Sequence, residues 1–111
     1  MKKPHYSLAR IKQLVAERKV YISRTRGLGF FPTARAAHEL VRHICAELTV
    51  KQHFVRTVHL AVDVADEYGI RVDNVGWYVK VYVDETVPEA SFISLHPLEY
   101  PIQTNGGIVI P

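Results

Sequence analysis

The sequence predicts an α+β fold, with N-terminal helices packed on a mainly antiparallel twisted sheet. Three observations carry this expectation. Apolar residues recur at helical spacing as far as about Leu48, and from Thr57 the period changes to two. The β-type segments then follow one another without helical stretches between them, which is the order of an α+β domain rather than of βαβ units.

Ser7 is placed to cap a first helix over about 8–18, whose apolar stripe is Leu8, Ile11, Leu14 and Val15. Val20-Tyr21-Ile22 is a short strand candidate, and Ser23 to Pro32, with Gly27 and Gly29, reads as a basic loop. Pro32-Thr33 opens a second helix running to about Leu48 on a stripe of Ala36, Leu40, Val41, Ile44 and Leu48. Thr49-Val50-Lys51-Gln52 has the spacing of a capping box, so a short helix is expected near 50–54. From Thr57, Val58, Leu60, Val62 and Val64 alternate with His59, Ala61, Asp63 and Ala65 and predict one strand. Asp66 to Gly76 is then the expected connection, with its turn at Asp73-Asn74-Val75-Gly76.

The strand Trp77 to Asp84 has the strictest alternation in the chain. Trp77, Val79, Val81 and Val83 form one apolar face, and Tyr78, Lys80, Tyr82 and Asp84 form the other. Two phenols flanking an ammonium suit base stacking, phosphate binding or proton donation, whereas an amphipathic strand with aromatic cross-strand packing is the plainer reading. A turn containing Pro88 leads to a third strand, Ser91 to His96, and Asn105-Gly106 marks a small hairpin near the C-terminus. Residues 1–99 are expected to form a single domain, with 100–111 as an extension.

The 111 residues allow a core without metal or disulfide support, and the single Cys45 cannot form an internal disulfide. Its apolar helical surroundings suggest a small buried hydrophobe and a reducing compartment. With no apolar run that approaches a bilayer span, a soluble cytoplasmic protein with no membrane association is expected. The net charge of +3 conceals a division: residues 1–60 carry a net +9 and residues 61–111 a net −6. A contiguous basic half would attract a polyanion such as RNA or an acidic partner protein, whereas basic helices set beside acidic loops would neutralise one another.

No metal or cofactor is expected. The six histidines contain no helical i, i+4 pair, and His38 and His43 diverge by about 140° on a helix. Gly27-Leu28-Gly29 lacks the third glycine of a dinucleotide fingerprint, and no nucleophile elbow occurs. The remaining chemistry belongs to Arg56, His59, Tyr78, Lys80 and His96. Metal-free RNA cleavage needs a base for the 2′-hydroxyl, cations for the phosphorane and an acid for the leaving 5′ oxygen, and this set supplies all three. Strand parity puts Tyr78 and Lys80 opposite Val79, and His96 opposite Leu95 on what should be a neighbouring strand.

Lys3-Pro4-His5-Tyr6-Ser7-Leu8, followed by Ile11-Lys12-Gln13-Leu14-Val15, resembles the start of the MqsR family, toxins of type II toxin–antitoxin modules. Phe54-Val55-Arg56-Thr57, Asp66-Glu67-Tyr68, Trp77-Tyr78-Val79-Lys80 and Ile93-Ser94-Leu95-His96 are similar to later stretches of that family, as is the step from Tyr68 to Tyr78. The resemblance implies a RelE-like fold, a metal-independent endoribonuclease and a cognate antitoxin. It implies catalytic roles for Tyr78, His96 and Arg56, to which we add Lys80, His59 and Arg71 as substrate-binding candidates. Arg56 and His96 stand where the family has lysines and Ala65 where it has a glutamine, while Tyr78 is unchanged. Arg56 keeps a cation suited to phosphate but is a poor proton donor, and a histidine at 96 serves as acid or base near neutral pH. Three readings therefore stand open: an RNA-cleaving toxin, a catalytically silent relative that binds RNA or a protein partner, and a stand-alone structural domain.

Overall fold

Ser7 opens the first helix by accepting the Arg10 N–H on its Oγ at 3.2 Å. Helix α1 (Leu8–Ala16) buries Ile11, Leu14 and Val15, and strand β1 (Val20–Ile22) follows it. The basic loop contains a single 3₁₀ turn at Leu28–Phe30 before Thr33 caps α2 (Ala34–Glu47), accepting the Ala36 N–H at 3.1 Å. The buried stripe of α2 is Ala37, Val41, Ile44 and Cys45, so Ala36 and Leu40 lie at its half-buried edge instead of at its centre. Thr49 caps α3 (Val50–His53) by accepting the Gln52 N–H at 3.2 Å. The reciprocal acceptor for the Thr49 N–H is His53 Nδ1 at 2.9 Å, not the Gln52 side chain that a capping box would use.

The computed structural model describes residues 1–61 and 63–111. Its remaining strands are β2 (Phe54–His59), β3 (Val64–Val72), β4 (Val75–Asp84), β5 (Glu89–Pro97), β6 (Ile102–Thr104) and β7 (Gly107–Val109). The first five form a sheet of order β1-β5-β4-β3-β2, antiparallel except where β1 runs parallel to β5. Strands β6 and β7 form a separate hairpin around Asn105-Gly106, where the sequence places its turn. The fold class is thus α+β. Ile11, Leu14, Val41 and Ile44 of the helices meet Tyr68, Ile70, Val79, Val81, Phe92 and Leu95 of the sheet in one core.

The region from Thr57 to Gly76 departs from the expected single strand and connection. The strand ends at His59, the Leu60 N–H donates to the Asp63 carbonyl at 2.7 Å, and pairing of His59 with Val64 closes an antiparallel hairpin. Val62, part of the expected alternation, lies outside the described residues. Most of the expected connection is β3, buried from Ala65 to Ile70 and carrying Asp66, Glu67 and Gly69 within it. Helices cover one of its faces and the β6–β7 hairpin approaches the other at Gly69, so solvent imposes no alternation on its sequence. Asp66 is fully buried yet satisfied, accepting from the His5 and Tyr6 N–H groups and from the Thr57 hydroxyl.

Candidate functional site

The open face of the sheet is assembled by two local devices. Asp73 and Asn74 both adopt positive φ, 51° and 66°, as a two-residue hairpin turn requires, and pair Val72 with Val75. That register sets Glu67 opposite Lys80, while β2 sets Arg56 opposite Glu67 on its other side. On β5 the register slips: Lys80 faces Ser94 but Val81 faces Phe92, leaving Ile93 as the extra residue of a bulge. Regular alternation from Phe92 would turn His96 into the core. The bulge instead lets Phe92 and Leu95 both enter the core and sets His96 opposite Tyr78, with ring centroids 5.1 Å apart.

Glu67, only 3% exposed, is the hub of this face. Its Oε1 accepts Arg56 Nε at 2.6 Å, its Oε2 accepts the Tyr78 hydroxyl, and Lys80 Nζ lies 3.8 Å from Oε2. Burial, reinforced by the hydrogen bond and charge of Glu67, holds the Tyr78 hydroxyl well above the ordinary phenol range. Tyr78 therefore enters any reaction near neutral pH as a proton donor. The hydrogen bond to Glu67 raises the Arg56 guanidinium further, so its charge is permanent. Lys80 Nζ also lies 5.7 Å from the centroid of the Tyr78 ring.

The loop after β1 supplies a residue that sequence reasoning missed. The chain stays against β5 beyond the strand, the Ser23 N–H donating to the Phe92 carbonyl at 2.9 Å and the Leu95 N–H to the Arg26 carbonyl at 2.8 Å. This delivers Arg26 Nη2 to within 3.1 Å of His96 Nε2, while His96 Nδ1 lies 2.9 Å from the Pro97 carbonyl. Arginine only donates, so Nε2 must accept, and the ring proton sits on Nδ1, donated to Pro97. In this contact the Nε2 lone pair of His96 is engaged by a guanidinium. Phe30 flanks it, with ring centroids 5.4 Å apart.

The C-terminal segment completes a cavity of about 630 Å³ over this face, lined by Arg26, Arg56, Glu67, Tyr78, Lys80 and His96 and walled by Leu98 to Gln103. Hydrogen bonds at the turn of the β6–β7 hairpin hold it in place. The Asn105 side chain donates to the Lys2 and Val50 carbonyls, and the Thr104 hydroxyl donates to that of Gln52. Gly76 lets the chain end pass closely, since a Cβ there would strike the Ile110 carbonyl. Four cations, Lys2, Arg26, Arg56 and Lys80, line the cavity against two carboxylates, Glu67 and Glu99. The surplus positive charge suits an anionic ligand.

Of the six residues singled out from the sequence, Tyr78, His96, Arg56 and Lys80 converge here. His59 and Arg71 do not. His59 is exposed at the end of β2, and Arg71 donates to the Asn74 and Pro111 carbonyls near the β3–β4 turn. Glu67 lies in the segment expected as a connection and Arg26 in the expected loop, so residue type and strand parity single out neither. Reflection about the Asp73-Asn74 turn alone places Glu67 against Lys80, a signal that was present in the sequence. Cys45 is buried with its thiol pushed up to about 12, which leaves it unreactive. Among the described residues, no group of three His, Cys, Asp or Glu side chains is placed to hold a metal ion. Comparison with protein-family profiles and with curated proteins finds no match to this chain.

Proposed function

We propose that this chain is a metal-independent endoribonuclease, the RNA-cleaving toxin of a toxin–antitoxin module, with a RelE-like fold. The observation that carries this reading is the convergence of a firmly protonated phenol, an imidazole and three cations, Arg26, Arg56 and Lys80, in one cavity. The resemblance to MqsR toxins supports it. An RNA phosphate competes with Glu67 and His96 for the guanidinium groups of Arg56 and Arg26. Once Arg26 turns to the phosphate, His96 Nε2 is free to take the proton of the 2′-hydroxyl. The O2′–P bond forms and the P–O5′ bond breaks, while Arg26, Arg56 and Lys80 stabilise the phosphorane. Tyr78 donates its proton to the departing 5′ oxygen, a stronger base than the tyrosinate left behind. Return of the proton from His96 to Tyr78 resets the site. The products are a 2′,3′-cyclic phosphate and a 5′-hydroxyl.

Incubation of purified protein with RNA, followed by end-group analysis, tests this proposal. Cyclic phosphate ends are expected, with Tyr78→Phe and His96→Ala each lowering the rate by about 10²–10⁴-fold while the fold is retained. Absence of cleavage from about pH 5 to pH 9 overturns the catalytic reading. The network in which Glu67 already engages Arg56, Tyr78 and Lys80 favours one alternative, a silent relative that binds RNA or a protein partner through the same face. RNA affinity with steep salt dependence but no product selects that alternative. A cognate antitoxin that covers the cavity is expected under either reading.

A further inference from the structure

A second cavity, of about 410 Å³, lies on the helix side of the sheet between the end of α1, β1 and α2. Its floor is apolar, made by Val15, Val20 and Val41, and its rim carries Arg18, Arg35, His38 and Arg42 without a carboxylate. Arg35 reaches Glu39 at 3.1 Å in an exposed pair, whereas Arg18 and Arg42 have no ion-pair partner among the described residues. Like charges gathered around one concavity repel each other, and a bound anion relieves that repulsion.

The way α1 ends is an independent observation. The Arg18 N–H donates to the Val15 carbonyl at 3.0 Å and the Lys19 N–H to the Leu14 carbonyl at 2.9 Å, the paired bonds of a Schellman cap. Arg18 occupies the left-handed position of that cap, with φ of 61°, where glycine is the usual residue and a side chain is disfavoured. Local backbone physics therefore disfavours arginine at this position, yet its side chain stands at the rim of the cavity. Burial, together with the charge of Arg42, holds His38 below its ordinary range, so its ring remains neutral and able to donate one hydrogen bond. The loop bearing Arg24 and Arg26 runs from the first cavity into α2, which carries Arg35 and Arg42.

We propose that this second cavity binds phosphate groups of a single-stranded polynucleotide, with Arg18, Arg35 and Arg42 holding a part of the strand away from the cleavage cavity. The inference rests on the RNA reading for the source of the phosphate, and its test does not need cleavage. The probe is a short 2′-O-methyl oligoribonucleotide, which cannot undergo 2′-hydroxyl attack, titrated into wild type and into the Arg18→Gly, Arg42→Gln double variant across a salt series. Arg18→Gly installs the residue the cap prefers, so the variant is expected to melt no lower than wild type from that change. The double variant should bind about tenfold more weakly near 0.1 M salt, with the log–log salt slope reduced by about 1.4, or about 0.7 for each cation removed. Inorganic phosphate should raise the melting temperature of wild type more than that of the variant.

Unchanged affinity and slope in the double variant overturn the proposal. So does tighter binding of polyglutamate than of the oligonucleotide at matched charge, which would assign the cavity to an acidic protein segment. A protein that binds the probe through these arginines but cuts no RNA would refute the nuclease and leave the second site standing. Undiminished cutting and binding in the double variant would do the reverse.

Discussion

On β4, Val79 and Val81 turn toward the helices and are at most 1% exposed, while Tyr78 and Lys80 turn toward the C-terminal segment and remain half-buried. The first face is held by shape alone, in a core shared with α1 and α2. The second is held by a single buried carboxylate whose partners are a phenol and two cations. A buried charge is tolerated only when paired and hydrogen-bonded, so Glu67 commits its neighbours to defined positions as no apolar contact does. One strand thus keeps apolar packing on one side and a charged network on the other, and substitutions on the two sides should produce different losses.

The largest effect is expected on the helix side. Phe92→Ala empties a fully packed position and should lower the unfolding free energy by about 3–5 kcal/mol, read from urea denaturation. Two strands away in the sheet, Glu67→Gln should cost much less stability yet, under the proposed function, change RNA binding or cleavage sharply. Comparable stability losses in both variants would break the division between the faces. Gly76→Ala tests how firmly the chain end is seated over the open face. The new methyl group would meet the Ile110 carbonyl and Leu98, for an expected cost of about 1–3 kcal/mol, and an unchanged melting temperature would show that the segment yields easily.

A smaller gain is expected from Tyr68→Phe. The Tyr68 hydroxyl is buried in the core without a hydrogen-bond partner among the described residues, so its removal should stabilise the protein by about 1 kcal/mol. A loss instead would mean that the core side also harbours a polar interaction. The smallest effect is that of pH. Burial lowers His38 and His53 from their ordinary 6.5 in the folded chain, so the unfolded chain binds their protons more readily. Their contribution to stability is present above that ordinary value and is lost as pH falls through the lowered ones. Urea midpoints should therefore drop as pH falls below the ordinary 6.5, and the drop should flatten in the His38→Gln, His53→Gln variant.

Elements governed by neighbours in sequence were legible without the structure. Ser7, Thr33 and Thr49 cap their helices because a hydroxyl needs only an N–H three residues ahead. The faces of β4 and the Asn105-Gly106 hairpin were legible for the same reason. Strand β3 was not, because cover on both faces removes the alternation by which a strand is recognised. Its misreading as a connection concealed Glu67 and left Tyr78 without its partner. Tyr78, Lys80, Arg56 and His96 were found from residue type and parity, whereas His59 and Arg71 had suitable chemistry but positions outside the cavity.

By itself the sequence determined where helices begin, which face of β4 is apolar, and which side chains have the chemistry for phosphate. These follow from capping, period and composition, which act over a few residues. Only the tertiary structure decided that those side chains meet. The bulge at Ile93 turns His96 out of the core, the parallel run of β1 beside β5 brings Arg26 to it, and the β3 register sets Glu67 between Arg56 and Lys80. Each of these depends on pairing between segments distant in the chain. Such pairing is selected by the burial of the whole sheet, and no short stretch of sequence encodes it alone.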